Sequence, residues 1–247
     1  MTVLMGLDVR LRLARLYMCT DLRERQGDFI EFVSACLNGG VDVIQIRQPG
    51  LTERQELAAL EKLRELSFPF EGLVVVNDSP TVARAFQADV LHLRPGGIAP
   101  KQARPSLHQW GLIGQGARTP KQIDAALADP DVDYLTVGPV YPTPDFPDAS
   151  GGTDLVRYAA TVAPPGDIES RPWFAGGGVS EDNLEEVLAA GARRIAVIRA
   201  LAESTDPQAT AERLANRLRR AWNEDPAMQD YLAKAFRGPQ RKRGGRR

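Results

Sequence analysis

Cysteine is scarce in this chain: Cys19 and Cys36 are the only two among 247 residues. Two thiols give neither a disulfide framework nor a metal-ligand spacing, so a reducing compartment and buried structural thiols are expected. No stretch approaches the roughly 20 apolar residues that span a bilayer. Residues 1–15 lack the apolar core and cleavage pattern of a secretory signal, because Arg10, Arg12 and Arg15 interrupt them. A cytoplasmic protein with no membrane partner is the expectation. A Gly-x-Gly-x-x-Gly turn is missing after the first apolar run, which weighs against a dinucleotide-binding fold. An excess of positive charge is missing as well. The formal charge is −1, and six of the cations (Arg237, Arg241, Lys242, Arg243, Arg246 and Arg247) sit in the last eleven residues. Without them the remainder carries −7, so the body is acidic and no nucleic-acid partner is expected.

What is present is a rhythm. With 43% hydrophobic and 26% charged residues, the composition is that of a folded globular chain. Apolar runs of strand length recur at Ala14–Cys19, Val41–Ile46, Leu73–Val76, Val90–Leu93, Leu112–Gly114, Tyr134–Val137, Trp173–Ala175 and Ile195–Ile198. Most are continuous rather than alternating, as in a parallel sheet covered on both faces. Between them, Asp28–Leu37, Thr52–Leu66, Pro80–Phe86, Pro120–Leu127, Leu155–Val162, Asn183–Ala189 and Pro207–Trp222 place apolar residues at helical steps of three and four. The segment after Leu93 is the weakest, since Pro95, Pro100 and Pro105 limit a helix there.

Short joints such as Gly39-Gly40-Val41-Asp42 and Pro130-Asp131-Val132-Asp133 end a helix and start a strand at once. Eight strands alternating with helices predict right-handed βαβ units closing into a single α/β domain, a (β/α)8 TIM barrel. The barrel is expected over 11–222, a C-terminal helical extension over 223–237, and a disordered basic tail over 238–247.

In such a barrel the active site lies at the strand C-termini, and the polar residues gather there. Gln45 and Arg47 alternate with Ile44 and Ile46, so their side chains are expected to face the barrel mouth. An inward arginine must meet an acid or an anion. Asn77-Asp78 ends the third run: Asp78 offers a carboxylate to a magnesium ion, or caps the helix at Pro80. His92 reads as a packed, hydrogen-bonded barrel residue. Gly176-Gly177-Gly178 follows the seventh run, where backbone N–H groups free of Cβ atoms can ring a phosphate; a tight turn is the other reading.

These segments, taken in order, resemble the thiamine-phosphate synthase family. The residues that carry the resemblance include Leu16-Tyr17-Met18-Cys19-Thr20-Asp21, Gly39 to Arg47, Val76-Asn77-Asp78, Ala88 to Leu93, Gly138 to Pro144 and Gly177-Gly178. It spans Ala14 to about Leu218. The resemblance implies a transferase of thiamine biosynthesis. It joins hydroxymethylpyrimidine diphosphate to a thiazole phosphate and releases pyrophosphate, with Mg2+ as cofactor and small phosphorylated heterocycles as partners. Carried over residue by residue, Gln45 and Arg47 would bind the pyrimidine diphosphate with Asn77 beside them, Arg47 and Asn77 being the catalytic pair. Asp78 would be the metal ligand. Thr143, Gly177 and Gly178 would hold the thiazole phosphate, helped by Ile198 and Arg199.

The chain also departs from the family pattern. Pro49 stands at a lysine position, Gly97 at that of a second magnesium aspartate, Gly116-Ala117-Arg118 at a Ser-Thr-His run, and Asp145-Phe146 at a Thr-Lys pair. Arg94, Lys101 and Arg118 offer replacement charge, although an arginine cannot be a metal ligand. Two further readings stay open on the sequence alone: a regulatory or non-catalytic barrel that binds a phosphorylated ligand, and a thiazole tautomerase-like enzyme. Assembly into a homo-oligomer is left open too.

Overall fold

Eight short strands carry the fold: β1 (Leu16–Thr20), β2 (Val43–Ile46), β3 (Leu73–Asn77), β4 (Val90–Leu93), β5 (Leu112–Ala117), β6 (Tyr134–Val137), β7 (Trp173–Gly176) and β8 (Ile195–Val197). In the computed structural model, which describes residues 5–148 and 151–237, they pair in chain order and all in parallel. β8 closes back onto β1 through Tyr17↔Ala196. Helix α1 (Leu7–Leu13) precedes the barrel. Then α2 (Phe29–Asn38), α3 (Glu53–Ser67), α4 (Pro80–Phe86), α5 (Pro100–Ala103), α6 (Pro120–Ala128), α7 (Gly152–Val162) and α8 (Leu184–Ala189) follow the first seven strands in turn. After β8 come α9 (Arg199–Ala202), α10 (Pro207–Glu224) and α11 (Tyr231–Arg237). This is the expected (β/α)8 barrel. Among the described residues no helix is long and apolar enough to cross a membrane.

Local chemistry sets these boundaries. Thr52 and Gln55 form a reciprocal capping box at α3, while Ser79, Thr119 and Asp206 each accept an N–H of the first turn of α4, α6 and α10. The aspartates of the repeated joints clamp neighbouring strands. Asp42 accepts the N–H groups of Arg15 and Leu16 at 2.7 and 2.9 Å, and Asp133 accepts that of Ile113 at 2.9 Å. Each ties the start of one strand to the next across the closed end of the barrel.

Two apolar shells result from the alternation. Tyr17, Val43, Val75, Val90, Leu112, Tyr134 and Phe174 fill the interior, whereas Met18, Ile44, Val76, Leu91, Ile113 and Leu135 face the helices. Inside, Tyr17 and Tyr134 meet Phe174 edge-on at 5.4 and 6.0 Å, a geometry that aromatic quadrupoles favour. Gly114 makes this possible: any Cβ there would collide with the Tyr134 ring.

The C-terminal extension, expected to be helical over 223–237, is not one continuous helix. Asp225 and Pro226 start a 3-10 turn over Pro226–Met228, and α11 begins afresh at Tyr231. The segment shields a buried cation at the closed end. Arg194 is 1% exposed, donates to the Arg12 carbonyl (2.8 Å) and the Tyr231 hydroxyl (3.0 Å), and lies over the rings of Trp222 and Tyr231. The basic tail, 238–247, lies outside the described residues.

Candidate active site

At the open end the interior turns polar. Gln45 is buried at 3% exposure, and its amide links three strands. Its Oε1 accepts the Tyr17 hydroxyl at 2.8 Å and the Cys19 thiol at 3.3 Å, while its Nε2 donates to Asn77 Oδ1 at 2.6 Å. Next to Asn77 in register is His92, whose Nε2 lies 3.2 Å from Thr136 Oγ1. Burial, with a smaller contribution from the Arg47 charge, pulls the His92 imidazole down to about 4, so the ring is neutral at neutral pH. His92 thus packs and bonds as expected, between Tyr17 and Tyr134. Burial also pushes the Cys19 thiol up to about 12, which keeps it protonated and unreactive.

Around this floor stands a rim of guanidinium groups. Arg47, just beyond β2, is 44% exposed and pairs with Asp145 at 2.9 Å. Arg94, just beyond β4, reaches Asp78 through Nε at 3.1 Å. Arg118, just beyond β5, lies 4.1 Å over the Phe146 ring. Asp145 and Phe146 belong to the loop after β6, which is turned by the Thr143–Phe146 bridge, and the Thr143 hydroxyl accepts the Phe146 N–H at 3.2 Å. That loop therefore spans the mouth, with its acid on one arginine and its ring against another.

The glycine run lies on the same face. Gly177 and Gly178 hold φ of +88° and +71°, and a Cβ on them would stand 2.5 Å from Pro139 and 2.7 Å from Tyr141. The carbonyls of Gly176 and Gly177 accept the N–H groups of Val140 and Tyr141, each at 2.9 Å. The Gly176↔Ala196 register directs the Gly177 N–H along the ladder toward β8, and among the described residues the Gly178 N–H has no backbone acceptor. The run is compatible with both readings: it is a tight packing turn, and it leaves the Gly178 donor free. Beside it, Ile198 caps α9 and Arg199 opens it, both exposed.

The structure brings Gln45 and Asn77 into contact and places Arg47, Asp78, Thr143, Gly177, Gly178, Ile198 and Arg199 at the same end of the barrel. One reading changes. Asp78 is no helix cap, because Ser79 accepts the Val82 N–H that a cap must satisfy. At Asp78, where magnesium was implied, both carboxylate oxygens are turned to Arg94. Asp78 Oδ1 accepts the Arg94 N–H at 3.2 Å and its Oδ2 meets Arg94 Nε. Among the described residues no group of three His, Cys, Asp or Glu is arranged to hold a metal. Sequence reasoning missed the partners of Asp78 and Arg47, which come from other loops, although the charge replacements at 94 and 145 were a usable signal.

Comparison with known proteins agrees with this geometry. The family model described as thiamine monophosphate synthase matches residues 16–201. The chain is 46% identical over 210 residues to a thiamine-phosphate synthase of Thermobifida fusca, covering 85% of this chain and 94% of that one. It is 45% identical over 219 residues to the thiamine-phosphate synthase of Mycobacterium tuberculosis, covering 85% and 96%. Among solved structures, a thiamine phosphate pyrophosphorylase from Pyrococcus furiosus superposes with a TM-score of 0.73 at 29% identity, over 86% of this chain and 98% of the other. On this fold, this mouth and these relatives, the chain belongs to the thiamine monophosphate synthase family.

Proposed function

We propose that this barrel joins hydroxymethylpyrimidine diphosphate to a thiazole phosphate, giving thiamine phosphate and pyrophosphate. The C–O bond between the pyrimidine methylene and the diphosphate breaks, and the leaving group takes the electron pair. The ring nitrogen system stabilises the resulting cation, and the thiazole nitrogen then supplies the electrons of the new C–N bond. Little covalent work falls to the protein. It must hold two reactants in line and neutralise the departing pyrophosphate.

Gln45 and Asn77 supply amides that fix a heterocycle at the mouth, and Arg47 faces the diphosphate. The N–H groups of Gly177 and Gly178, with those opening α9 at Ile198 and Arg199 and the Thr143 hydroxyl, receive the thiazole phosphate. The buried Tyr17 hydroxyl stiffens the Gln45 amide from below, and neutral His92 packs against the Tyr17 ring. Release of Arg47 from Asp145 is part of substrate entry in this reading. No step is assigned to magnesium, because the donors around Asp78 do not fit a resident ion.

The observation that carries this reading is the Gln45–Asn77 hydrogen bond beside Arg47, in a chain whose relatives at 44–46% identity bear the name thiamine-phosphate synthase. Arg47→Ala and Asn77→Ala should each lower pyrophosphate release by at least about tenfold, the worth of one charge-assisted contact. Lys62→Ala, on the exposed face of α3, serves as the control. Equal rates in all three variants would remove Arg47 and Asn77 from the reaction.

A further inference from the structure

We infer that the diphosphate side of the mouth takes its anion on arginine side chains alone, with Arg94, anchored by Asp78, in the place a divalent cation would need. This rests on the reading of the mouth as a diphosphate site. Asp78 stands just beyond β3 on that side, and both of its oxygens are engaged: Oδ1 accepts the Arg94 backbone N–H, and Oδ2 pairs with Arg94 Nε. Magnesium demands near-octahedral oxygen ligation and gives up water reluctantly. To bind at Asp78 it would have to break an existing ion pair and leave a guanidinium beside a dication.

The second ligand is missing on the same few ångströms of chain. The turn from Arg94 to Gly97 closes with the Gly97 N–H on the Arg94 carbonyl at 3.2 Å. A Cβ on Gly97 would stand 3.1 Å from Asp78 Oδ1 and 3.0 Å from Arg94 Cγ. Position 97 is therefore next to the Asp78 carboxylate, and its side chain is a hydrogen atom.

Meanwhile the pair leaves Arg94 equipped for an anion. Its side chain is 73% exposed, with Nε the atom that meets Asp78. Among the described residues, neither terminal nitrogen donates a hydrogen bond. A guanidinium stays charged at any working pH and presents a planar fork that matches phosphate oxygens. Held at Nε by Asp78, that fork is oriented before the ligand arrives, so less side-chain freedom is lost on binding. Arg47 and Arg118 complete a cationic rim whose charge is fixed, where a metal site would depend on cation supply.

The test is calorimetric titration of the full chain with inorganic pyrophosphate, once in EDTA and once in excess magnesium. The affinity in EDTA should match that in magnesium within about twofold, and Arg94→Ala should lose about tenfold in both, the worth of one charge-assisted contact. An affinity that rises tenfold or more on adding magnesium to the wild type would overturn the inference, as would an Arg94→Ala variant that binds like the wild type. Product formation is read separately. Metal-independent binding without thiamine phosphate formation would sink the transferase reading and leave this inference standing; product formed by a chain that binds pyrophosphate only with magnesium would do the reverse.

Discussion

Asp145, on the loop after β6, closes a 2.9 Å ion pair onto Arg47 at the end of β2, a residue 98 positions earlier in the chain. The pair is 44% and 58% exposed on its two sides, so it contributes little to stability; its consequence is competition. A carboxylate sits on the guanidinium assigned to the diphosphate, and an incoming anion must displace it. Asp145→Asn should leave stability within about 1 kcal/mol of wild type. It should also tighten pyrophosphate binding by about threefold to tenfold, since the displacement cost is gone. Titration of the two proteins side by side decides this, and weaker binding by the variant would show that the loop acid assists the ligand.

Gly177 combines a left-handed φ with a Cβ position 2.5 Å from Pro139. Gly177→Val should therefore push the loop after β6 away from β7 and cost about 2–4 kcal/mol in unfolding free energy. It should also abolish binding of a phosphorylated ligand, because the same movement displaces the N–H groups of the run. Urea unfolding and ligand titration of one preparation measure both. A fully stable variant that no longer binds would mean that the run serves only ligand approach.

Gly97→Asp would bring a second carboxylate against Asp78; its Cβ would stand 3.0 Å from Arg94 Cγ, 3.1 Å from Asp78 Oδ1 and 3.3 Å from the Arg94 carbonyl, so the turn must give slightly to admit it. Wild-type protein without ligand should show no melting-point rise in millimolar magnesium, and the variant should show one, since one or two carboxylates mark the threshold for holding this ion. Tight magnesium binding by the ligand-free wild type would mean that the donor set around Asp78 has been misjudged.

His92 is neutral and buried in the folded chain, with its proton affinity lowered to about 4 from the ordinary 6.5. The unfolded chain binds that proton more readily, so acid favours unfolding. The contribution is complete above the unfolded value and is lost as pH falls toward the folded one. Between about pH 7.5 and about pH 5 it should cost about 2 kcal/mol. His92→Gln should flatten this slope, which chemical denaturation across the range would reveal; an unchanged slope would move the titration to another group.

How legible these features were in the sequence depended on the range of the interactions behind them. Strands β4 and β6 lie where their apolar runs begin and end, because both faces of each are buried and no polar alternation blurs them. β5 runs to Ala117 rather than stopping at Gly114, since Gly114 and Gly116 hide strand character. Their missing side chains make room for Tyr134 and Pro95. Helix α1 went unread for a similar reason. Arg10 and Arg12 interrupt its apolar face, and apart from the local Arg12–Asp8 pair their partners include carbonyls of Glu71, Gly72 and Ile168, far along the chain. At the mouth, the positions of Gln45 and Arg47 followed from strand alternation, and that of Asn77 from the end of the third apolar run. The engagement of Asp78 by Arg94 and of Arg47 by Asp145 did not, because each joins loops that only barrel closure brings together.

The most direct test of the account is product analysis after incubating the protein with hydroxymethylpyrimidine diphosphate and the thiazole phosphate. Chromatography with mass detection follows both products. Thiamine phosphate and pyrophosphate should appear in equal amounts, and both should be lost in Arg47→Ala. Protein that binds both reactants, yet yields neither product with or without magnesium, would contradict the transferase reading.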